Sequence, residues 1–253
     1  MSRFSKKSKR KEVALKSDIL ISTKQSFMFT EAFKSLRTNI MFSLAKEGCK
    51  RIMVVSSVAS EGKSTISAHL AVSLADMGSS VLVIDCDLRR GKAHKFFEAK
   101  RSPGLANVLA GFTDVITAVQ KTSIDKLYVL SAGVVPPNPS ELLASERMKM
   151  LIDEFSKSFD YIIMDTSPVN VVSDALAIAP LVDGVAVVAR QNYTDKKTFE
   201  KCINSLEFAG AKIIGVVLND AQEKRTSYTK KYGSYYKSGY YASARRYYVD
   251  DSK

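Results

Sequence analysis

Short apolar runs that end at polar residues recur along the chain, and they constrain its fold more than any other feature. Strands that are apolar throughout and alternate with helices indicate a parallel sheet covered on both faces. We therefore predict an α/β fold with a mostly parallel sheet flanked by helices, in a domain spanning residues 25–220. The six predicted strands are 51–57, 81–85, 127–133, 161–165, 184–189 and 212–219.

Helical periodicity fills the intervals between these runs. In the first predicted helix, apolar residues fall on one stripe from Phe29 to Leu44. Gly78 and Gly210 stand where two later helices are expected to end. The predicted helices are 25–46, 63–77, 145–157 and 195–209.

Polar side chains stand at the carboxyl ends of four predicted strands. They are Ser56, Asp85, Asp165 and Asn219. Ligands of open α/β sheets bind at this edge, so we expect the functional site there.

The segment between the first predicted strand and the following helix is SSVASEGKST, residues 56–65. It matches the phosphate-binding pattern GxxxxGK[ST] at Gly62, Lys63 and Ser64, with Ser57 at the first glycine position. Such a loop binds phosphate through main-chain N–H groups at a helix N-terminus. Lys63 would contact the β- and γ-phosphates, and Ser64 would bind Mg²⁺. The alternative is an ordinary turn. The nucleotide-binding set is predicted as Ser57, Ser60, Glu61, Gly62, Lys63, Ser64, Thr65 and Asn219.

Three aspartates follow two of the apolar runs. Asp85 and Asp87 are two apart at a strand end, so both carboxylates can face one site, while Asp165 ends the run YIIMD. Neighbouring carboxylates repel unless a cation or a base function uses them. We predict Lys63, Asp85, Asp87 and Asp165 as catalytic residues and Ser64, Asp85 and Asp165 as Mg²⁺ ligands. The alternatives are a solvated strand end and a helix cap. Asn219 is predicted to pair with an adenine edge, although asparagine also ends strands for turn reasons.

The net charge of +12 belongs to the two ends of the chain. Residues 1–16 and 224–253 each carry +6, which leaves the middle neutral. Basic segments of this kind contact an anionic membrane surface or nucleic acid, or only improve solubility. We favour the membrane surface and expect no specific nucleic acid.

The remaining composition bounds the location of the chain. No apolar run approaches the ~20 residues that cross a bilayer, and no uninterrupted apolar stretch follows the basic N-terminus. The spacing of Cys49, Cys86 and Cys202 implies neither a disulfide framework nor a metal site. We expect a cytoplasmic protein with a flexible basic segment over 1–24.

Eight of the 11 tyrosines cluster near the C-terminus among Gly, Ser, Lys and Arg, in a segment (221–253) that we predict to be disordered. Such a segment suits either stacking on single-stranded nucleic acid or phosphorylation. Each phosphate adds about −1.5 to −2 charges, so a few would cancel the basic charge there. The predicted phosphoacceptors are Tyr228, Tyr232, Tyr235, Tyr236, Tyr240, Tyr241, Tyr247 and Tyr248.

Together these segments resemble the bacterial tyrosine kinases of capsular and exopolysaccharide biosynthesis, in the form whose kinase is a separate cytoplasmic chain. The resemblance covers about 27–253 and includes EAFKSLRTNI (31–40), LSAGVVPPNPSELLAS (130–145) and YIIMDTSP (161–168). It implies a P-loop NTPase fold and transfer of phosphate from ATP, with Mg²⁺, to tyrosines of the chain's own tail, in trans between subunits. The eukaryotic kinase motifs are absent from the sequence.

The resemblance also implies roles for particular residues. Asp85 and Asp87 match the Walker A′ acids and Asp165 the Walker B acid, with Asp85 as the base toward the tyrosine hydroxyl. Glu31, Lys34 and Arg37 match a motif that joins subunits into a homo-oligomeric ring. Lys34 replaces an arginine and cannot form the same fork. An ion pair within the helix is the alternative.

Several partners follow from the same resemblance. A membrane polysaccharide co-polymerase would activate the kinase and recruit it to the inner face of the cell membrane. Other tyrosine substrates and a phosphotyrosine phosphatase are also expected.

The resemblance shows one further departure, because Ser60 stands where relatives often have glycine.

Three other functions remain open at this point. A partitioning or septum-positioning ATPase shares the strand-end aspartates, but carries an additional early lysine where this chain has Val58. An ATP-dependent assembly scaffold and a nucleic-acid binder are the others.

Overall fold

A seven-stranded sheet forms the centre of the computed structural model, which describes residues 26–221. The strand order is β3-β4-β2-β5-β1-β6-β7, and all neighbours are parallel except β3 and β4. The mostly parallel sheet is therefore confirmed. The strands are β1 Lys50–Ser56, β2 Val81–Asp85, β3 Val119–Lys121, β4 Leu127–Leu130, β5 Tyr161–Asp165, β6 Gly184–Arg190 and β7 Ile213–Asn219.

Nine α-helices connect the strands within this range, together with a 3₁₀ turn at Ala179–Leu181. The four longest match the four predicted helices to within three residues at either end. The others are short and were not predicted. The helices are α1 Phe27–Ser43, α2 Lys63–Ala75, α3 Ala93–Phe96, α4 Leu105–Leu109, α5 Val115–Ala118, α6 Pro139–Leu143, α7 Glu146–Phe155, α8 Asp174–Ile178 and α9 Lys196–Phe208.

The sheet is buried on both faces, as its apolar strands require. In β1, Met53 and Val55 point to one hydrophobic core, while Ile52 and Val54 point to the other. Helices α7 and α9 cover the first core and helices α1 and α2 the second. The predicted stripe of α1 packs into the second core. A fully buried leucine or isoleucine contributes about 1.5–3 kcal/mol, so these two layers hold the carboxyl edge of the sheet in place.

Side chains cap the principal helices at their first turns. Ser26, Ser145 and Asp195 accept hydrogen bonds from main-chain N–H groups of α1, α7 and α9 respectively. Each such cap stabilises a helix by about 1 kcal/mol. The N-terminus of α2 has no side-chain cap, and its first residue is Lys63. Among these four helices, only α2 therefore begins without a side-chain cap, and it follows directly on the predicted phosphate-binding loop.

Among the helices of residues 26–221, none combines the length and the apolar character that crossing a membrane requires.

Candidate nucleotide-binding and phosphoryl-transfer site

Four strands bring polar residues to the carboxyl edge of the sheet, as predicted. Ser56, Asp85, Asp165 and Asn219 are the last residues of β1, β2, β5 and β7. Asp85 and Asp165 are register partners on adjacent parallel strands. The strands therefore place two carboxylates side by side below the loop 57–62, which we call the P-loop.

Gly62 allows the P-loop to turn into α2. It has φ +97°, and a Cβ there would clash with Nδ2 of Asn219. Only glycine combines that φ with that close approach. Asn219 in turn donates from Nδ2 to the carbonyl of Glu61 at 2.9 Å. In this structure Asn219 thus supports the P-loop, and its pairing with adenine stays a prediction.

The P-loop divides into buried and accessible parts. Ser57 and Glu61 are buried, and the carbonyl of Ser57 accepts a bond from the Asn170 N–H at 3.1 Å. Ser60 is exposed and has φ +68°. The residues from Gly62 to Thr65 are partly exposed and lie at the free N-terminus of α2. Main-chain N–H groups at such a terminus favour an anion such as phosphate.

The Lys63 ammonium lies in the middle of the aspartates. Its Nζ is 3.4 Å from Asp87 Oδ2 and 3.6 Å from Asp165 Oδ1. The same nitrogen is 3.3 Å from the hydroxyl of Ser64. The structure therefore brings together all four predicted catalytic residues with Ser64. We call Lys63, Asp85, Asp87 and Asp165 the Lys–Asp cluster.

The protonation of the cluster follows from burial and mutual charge. Burial opposes the charge on Lys63, but the aspartates outweigh burial and raise the pKa of its ammonium. Burial, and then the negative charge of Asp165, raises the pKa of Asp85. Burial raises the pKa of Asp165 as well, against the opposing effect of Lys63. One lysine thus compensates part of the negative charge of three aspartates, and the site favours additional positive charge.

The donor set fits a magnesium ion carried by a nucleotide. Oδ1 of Asp85 is buried and has no hydrogen-bond partner among the described residues, while Oδ2 accepts the Ala93 N–H at 2.9 Å. The Ser64 hydroxyl lies near enough to Asp165 to oppose the rise in the pKa of that carboxyl. Within residues 26–221, no group of three His, Cys, Asp or Glu side chains is placed to hold a metal alone. Mg²⁺ bound to phosphates takes one or two carboxylates, and the predicted ligands Asp85 and Asp165, with the Ser64 hydroxyl, fit that requirement.

The predicted subunit motif lies on α1. Lys34 and Glu31 form an exposed ion pair of 2.8 Å within the helix. Arg37 donates to the main-chain carbonyl of Ser73 on α2 at 2.5 Å. These bonds are the within-chain alternative, and a role between subunits stays a prediction.

Two predicted regions lie outside the described residues. They are the basic segment 1–24 and the tyrosine cluster from Tyr228 to Tyr248.

Sequence reasoning missed two contacts that support the site. Arg89, two residues after Asp87, binds the fully buried Asp174 at 2.8 Å. The buried Glu61 side chain accepts a short hydrogen bond from the Thr194 hydroxyl. The DxDxR spacing was a visible signal for Arg89, whereas no local pattern indicates Thr194.

Comparison with known proteins first defines the class. The family described as an AAA domain matches residues 49–208. MinD from Pyrococcus horikoshii OT3, solved with Mg-ADP, has a TM-score of 0.59 at 23% identity, over 70% of this chain and 72% of its own. That likeness shows the fold alone. Together with the family match and the P-loop geometry, it assigns the chain to the P-loop NTPase fold.

More similar proteins then define the family. The tyrosine-protein kinase YwqD of Bacillus subtilis (strain 168) is 35% identical over 218 residues, which is 86% of this chain and 91% of YwqD. The kinase domain of the Escherichia coli tyrosine kinase ETK has a TM-score of 0.72 at 33% identity, over 78% of this chain and 79% of that domain. The chimerical protein CapA2B2 has a TM-score of 0.72 at 34% identity, over 76% of this chain and 84% of its own. The chain belongs to the bacterial tyrosine-kinase family.

Proposed function

We propose that this chain is an ATP-dependent protein-tyrosine kinase that phosphorylates the tyrosine cluster of its own tail, in trans between subunits. The observation that carries the proposal is the Lys–Asp cluster beside the uncapped N-terminus of α2. A partly accessible cation next to buried, incompletely compensated carboxylates suits a Mg·nucleotide and an incoming hydroxyl.

The residues divide the work between binding and transfer. The N–H groups at the start of α2 and the Lys63 ammonium bind the β- and γ-phosphate oxygens. Ser64, Asp85 and Asp165 would hold Mg²⁺, which would neutralise charge on the phosphates. Asn219 contacts the adenine edge.

Asp85 acts on the acceptor tyrosine. Its raised pKa suits a group that accepts a proton near neutral pH. As the phenol oxygen forms a bond to the γ-phosphorus, the bond to the β,γ-bridging oxygen breaks and the phenolic proton moves to Asp85. Asp87 contacts the Lys63 ammonium at 3.4 Å and keeps it oriented.

The surroundings of the kinase follow from its relatives. Association with a membrane polysaccharide co-polymerase is part of the same proposal, and it rests on membership of the bacterial tyrosine-kinase family. Such a partner would activate the kinase and recruit it from the cytoplasm to the inner face of the membrane. The basic segments 1–24 and 221–253 would add attraction to that anionic surface. We further propose a ring joined through Glu31, Lys34 and Arg37, other tyrosine substrates, a phosphotyrosine phosphatase, and control of capsular or exopolysaccharide synthesis and export.

Transfer from labelled ATP tests the proposal. The protein is incubated with Mg²⁺ and a soluble fragment of the activator, in three forms: wild type, Lys63→Ala, and a chain truncated after Asp220. We expect phosphotyrosine only in the wild type, and only between positions 228 and 248. Hydrolysis of ATP without phosphotyrosine in the wild type would instead favour a partitioning or scaffold ATPase.

A further inference from the structure

The P-loop carries a buried carboxylate whose two oxygens both accept hydrogen bonds from the protein itself. Glu61 is fully buried, and one of its oxygens accepts the Val58 N–H at 2.9 Å. The other oxygen accepts the hydroxyl of Thr194. A carboxylate that accepts both of these bonds has no donor to offer a phosphate, so its bonds serve the shape of the loop.

Thr194 belongs to the segment 191–195 between β6 and α9, which we call the brace loop. Its hydroxyl donates to Glu61 and accepts the Arg190 N–H at 2.8 Å. The chain of bonds therefore runs from the end of β6 through Thr194 and Glu61 to Val58. Each member is partly or fully buried, so removing one leaves a polar group without its partner.

Further bonds tie the same segment to the outer side of the P-loop. The Tyr193 hydroxyl donates to the carbonyl of Ala59 at 3.2 Å. The Arg190 guanidinium donates to the carbonyl of Ser60 at 3.4 Å and lies over the Tyr193 ring. The carbonyls of two consecutive P-loop residues are thus held from one side.

The P-loop needs this support because its own conformation is unfavourable. Ser60 has φ +68°, which costs a residue with a Cβ about 1–2 kcal/mol. Without external bonds the loop would relax toward ordinary φ values. Its N–H groups would then no longer point together toward a phosphate.

Hydrogen bonds also hold the brace loop itself. Asn192 has φ +58°, and the Thr194 N–H returns to the Arg190 carbonyl at 3.0 Å to close the turn. Asp195 then caps α9 by accepting the Thr198 N–H at 2.9 Å. A strand end and a helix start therefore anchor both ends of the brace.

We propose that Thr194, through Glu61, is a positioning residue that preorganises the P-loop for nucleotide phosphates, with Tyr193 as its second contact. The inference rests on the proposed binding of ATP. It assigns a role in nucleotide affinity to a loop more than a hundred positions from the phosphate-binding motif.

The test compares three variants of the full chain. Thr194→Val removes the hydroxyl and keeps the shape, Thr194→Ser keeps the hydroxyl, and Tyr193→Phe removes one exposed bond with no threat to folding. For each, the ADP dissociation constant is measured with Mg²⁺, together with the KM for ATP, kcat and the unfolding temperature without nucleotide.

Positioning predicts a specific combination of results. Thr194→Val should weaken ADP binding and raise the KM for ATP by the same factor, about tenfold, since one well-formed buried bond is lost. Its kcat should stay within about threefold, because ground state and transition state lose the same binding. Thr194→Ser should restore affinity, and Tyr193→Phe should weaken it about two- to threefold.

Two outcomes would overturn the inference. One is a Thr194→Val protein that binds ADP as the wild type does, even if its unfolding temperature falls. If Thr194→Val does not fold, wild-type affinity of Tyr193→Phe for ADP has the same meaning. The other is failure of Thr194→Ser to restore affinity. A wild type that binds no nucleotide would remove the proposed function as well, which separates the two failures.

Discussion

The Lys–Asp cluster and the ion pair on α1 use the same kinds of charge in opposite surroundings. Lys63, Asp87 and Asp165 have side chains that are 12%, 9% and 2% exposed, whereas Lys34 and Glu31 are 51% and 44% exposed. The two lysine–carboxylate distances in the cluster are longer than the 2.8 Å of the α1 pair, yet the aspartates there clearly raise the pKa of Lys63. Burial, more than distance, decides how strongly these charges are coupled.

This difference separates chemistry from assembly. Water screens the α1 pair, which leaves both groups available to another subunit at little cost. The cluster is held away from water with part of its negative charge uncompensated, so a bound cation changes its energy substantially. Substitutions should therefore have large effects in the first region and small effects on the isolated chain in the second.

The largest effect is expected at Lys63. Lys63→Met removes the cation from the phosphate site and should lower tyrosine phosphorylation by about 10²–10³-fold, the usual loss for a charge-stabilising group. Lys149→Met is the matched control, because Lys149 lies on the exposed face of α7 and only pairs with Glu146. Equal activity of the two variants would break the contrast between buried and exposed lysines.

Asp85 predicts a pH dependence of stability. Its folded-state pKa is raised above the ~3.9 of an unfolded chain. Between these two pKa values the folded state therefore binds more protons than the unfolded state. Stability without nucleotide should therefore fall as the pH rises from about 4 through the raised pKa. Asp85→Asn cannot ionise and should lose this dependence, and its advantage over the wild type at the alkaline end should exceed about 1 kcal/mol, because each pKa unit corresponds to about 1.4 kcal/mol.

Urea unfolding at several pH values between 5 and 8.5 checks this prediction. Asp153→Asn serves as the control, since Asp153 is largely exposed. Parallel curves for the wild type and Asp85→Asn would mean that Asp85 is not the group whose burial couples stability to pH.

A smaller effect is expected at Ser60. Glycine there removes a left-handed strain of about 1–2 kcal/mol and adds about 0.5–1 kcal/mol of chain entropy cost. Ser60→Gly should therefore raise the free energy of unfolding by about 0.5 kcal/mol. The neighbouring change Ala59→Gly, where φ is not positive, should lower it. Thermal unfolding of both compares them, and destabilisation by Ser60→Gly would contradict the assigned strain.

The smallest effect is expected on α1, where two residues of one motif should differ. Lys34→Ala loses an exposed pair and should change the unfolding free energy of the monomer by less than about 0.5 kcal/mol. Arg37→Ala loses a partly buried bond to the Ser73 carbonyl and should cost about 1 kcal/mol. Chemical unfolding at low protein concentration measures both. If Lys34→Ala lowered the free energy of unfolding more than Arg37→Ala does, the exposure of these side chains would not determine their contributions to stability.

The sequence predicted most of what local patterns can carry. Apolar runs ending at Asp85, Asp165 and Asn219 indicated both the strands and the edge where they meet, because parallel strands align their carboxyl ends. Strand β3 was missed, since its three residues, VQK, are too few and too polar to form an apolar run. The short helices likewise lack the length over which a period is visible.

Local sequence patterns could not predict contacts between distant segments. Glu61 and Thr194 are 133 positions apart, and Arg89 and Asp174 are 85 apart. Nothing near Glu61 distinguishes a side chain that faces a nucleotide from one that braces the loop. The fold alone determines that direction, by placing the end of β6 beside β1.

Mixing two variant chains, neither of which can phosphorylate its own tail, tests the central claim most directly. One chain carries Lys63→Ala and an intact tail, and the other has an intact site but ends at Asp220. With labelled ATP, Mg²⁺ and the activator fragment, we predict that the Lys63→Ala tail is labelled on tyrosine only when both chains are present. Labelling of the Lys63→Ala chain alone, or no labelling of the mixture under conditions where the wild type is labelled, would contradict transfer from this site to a neighbour's tail.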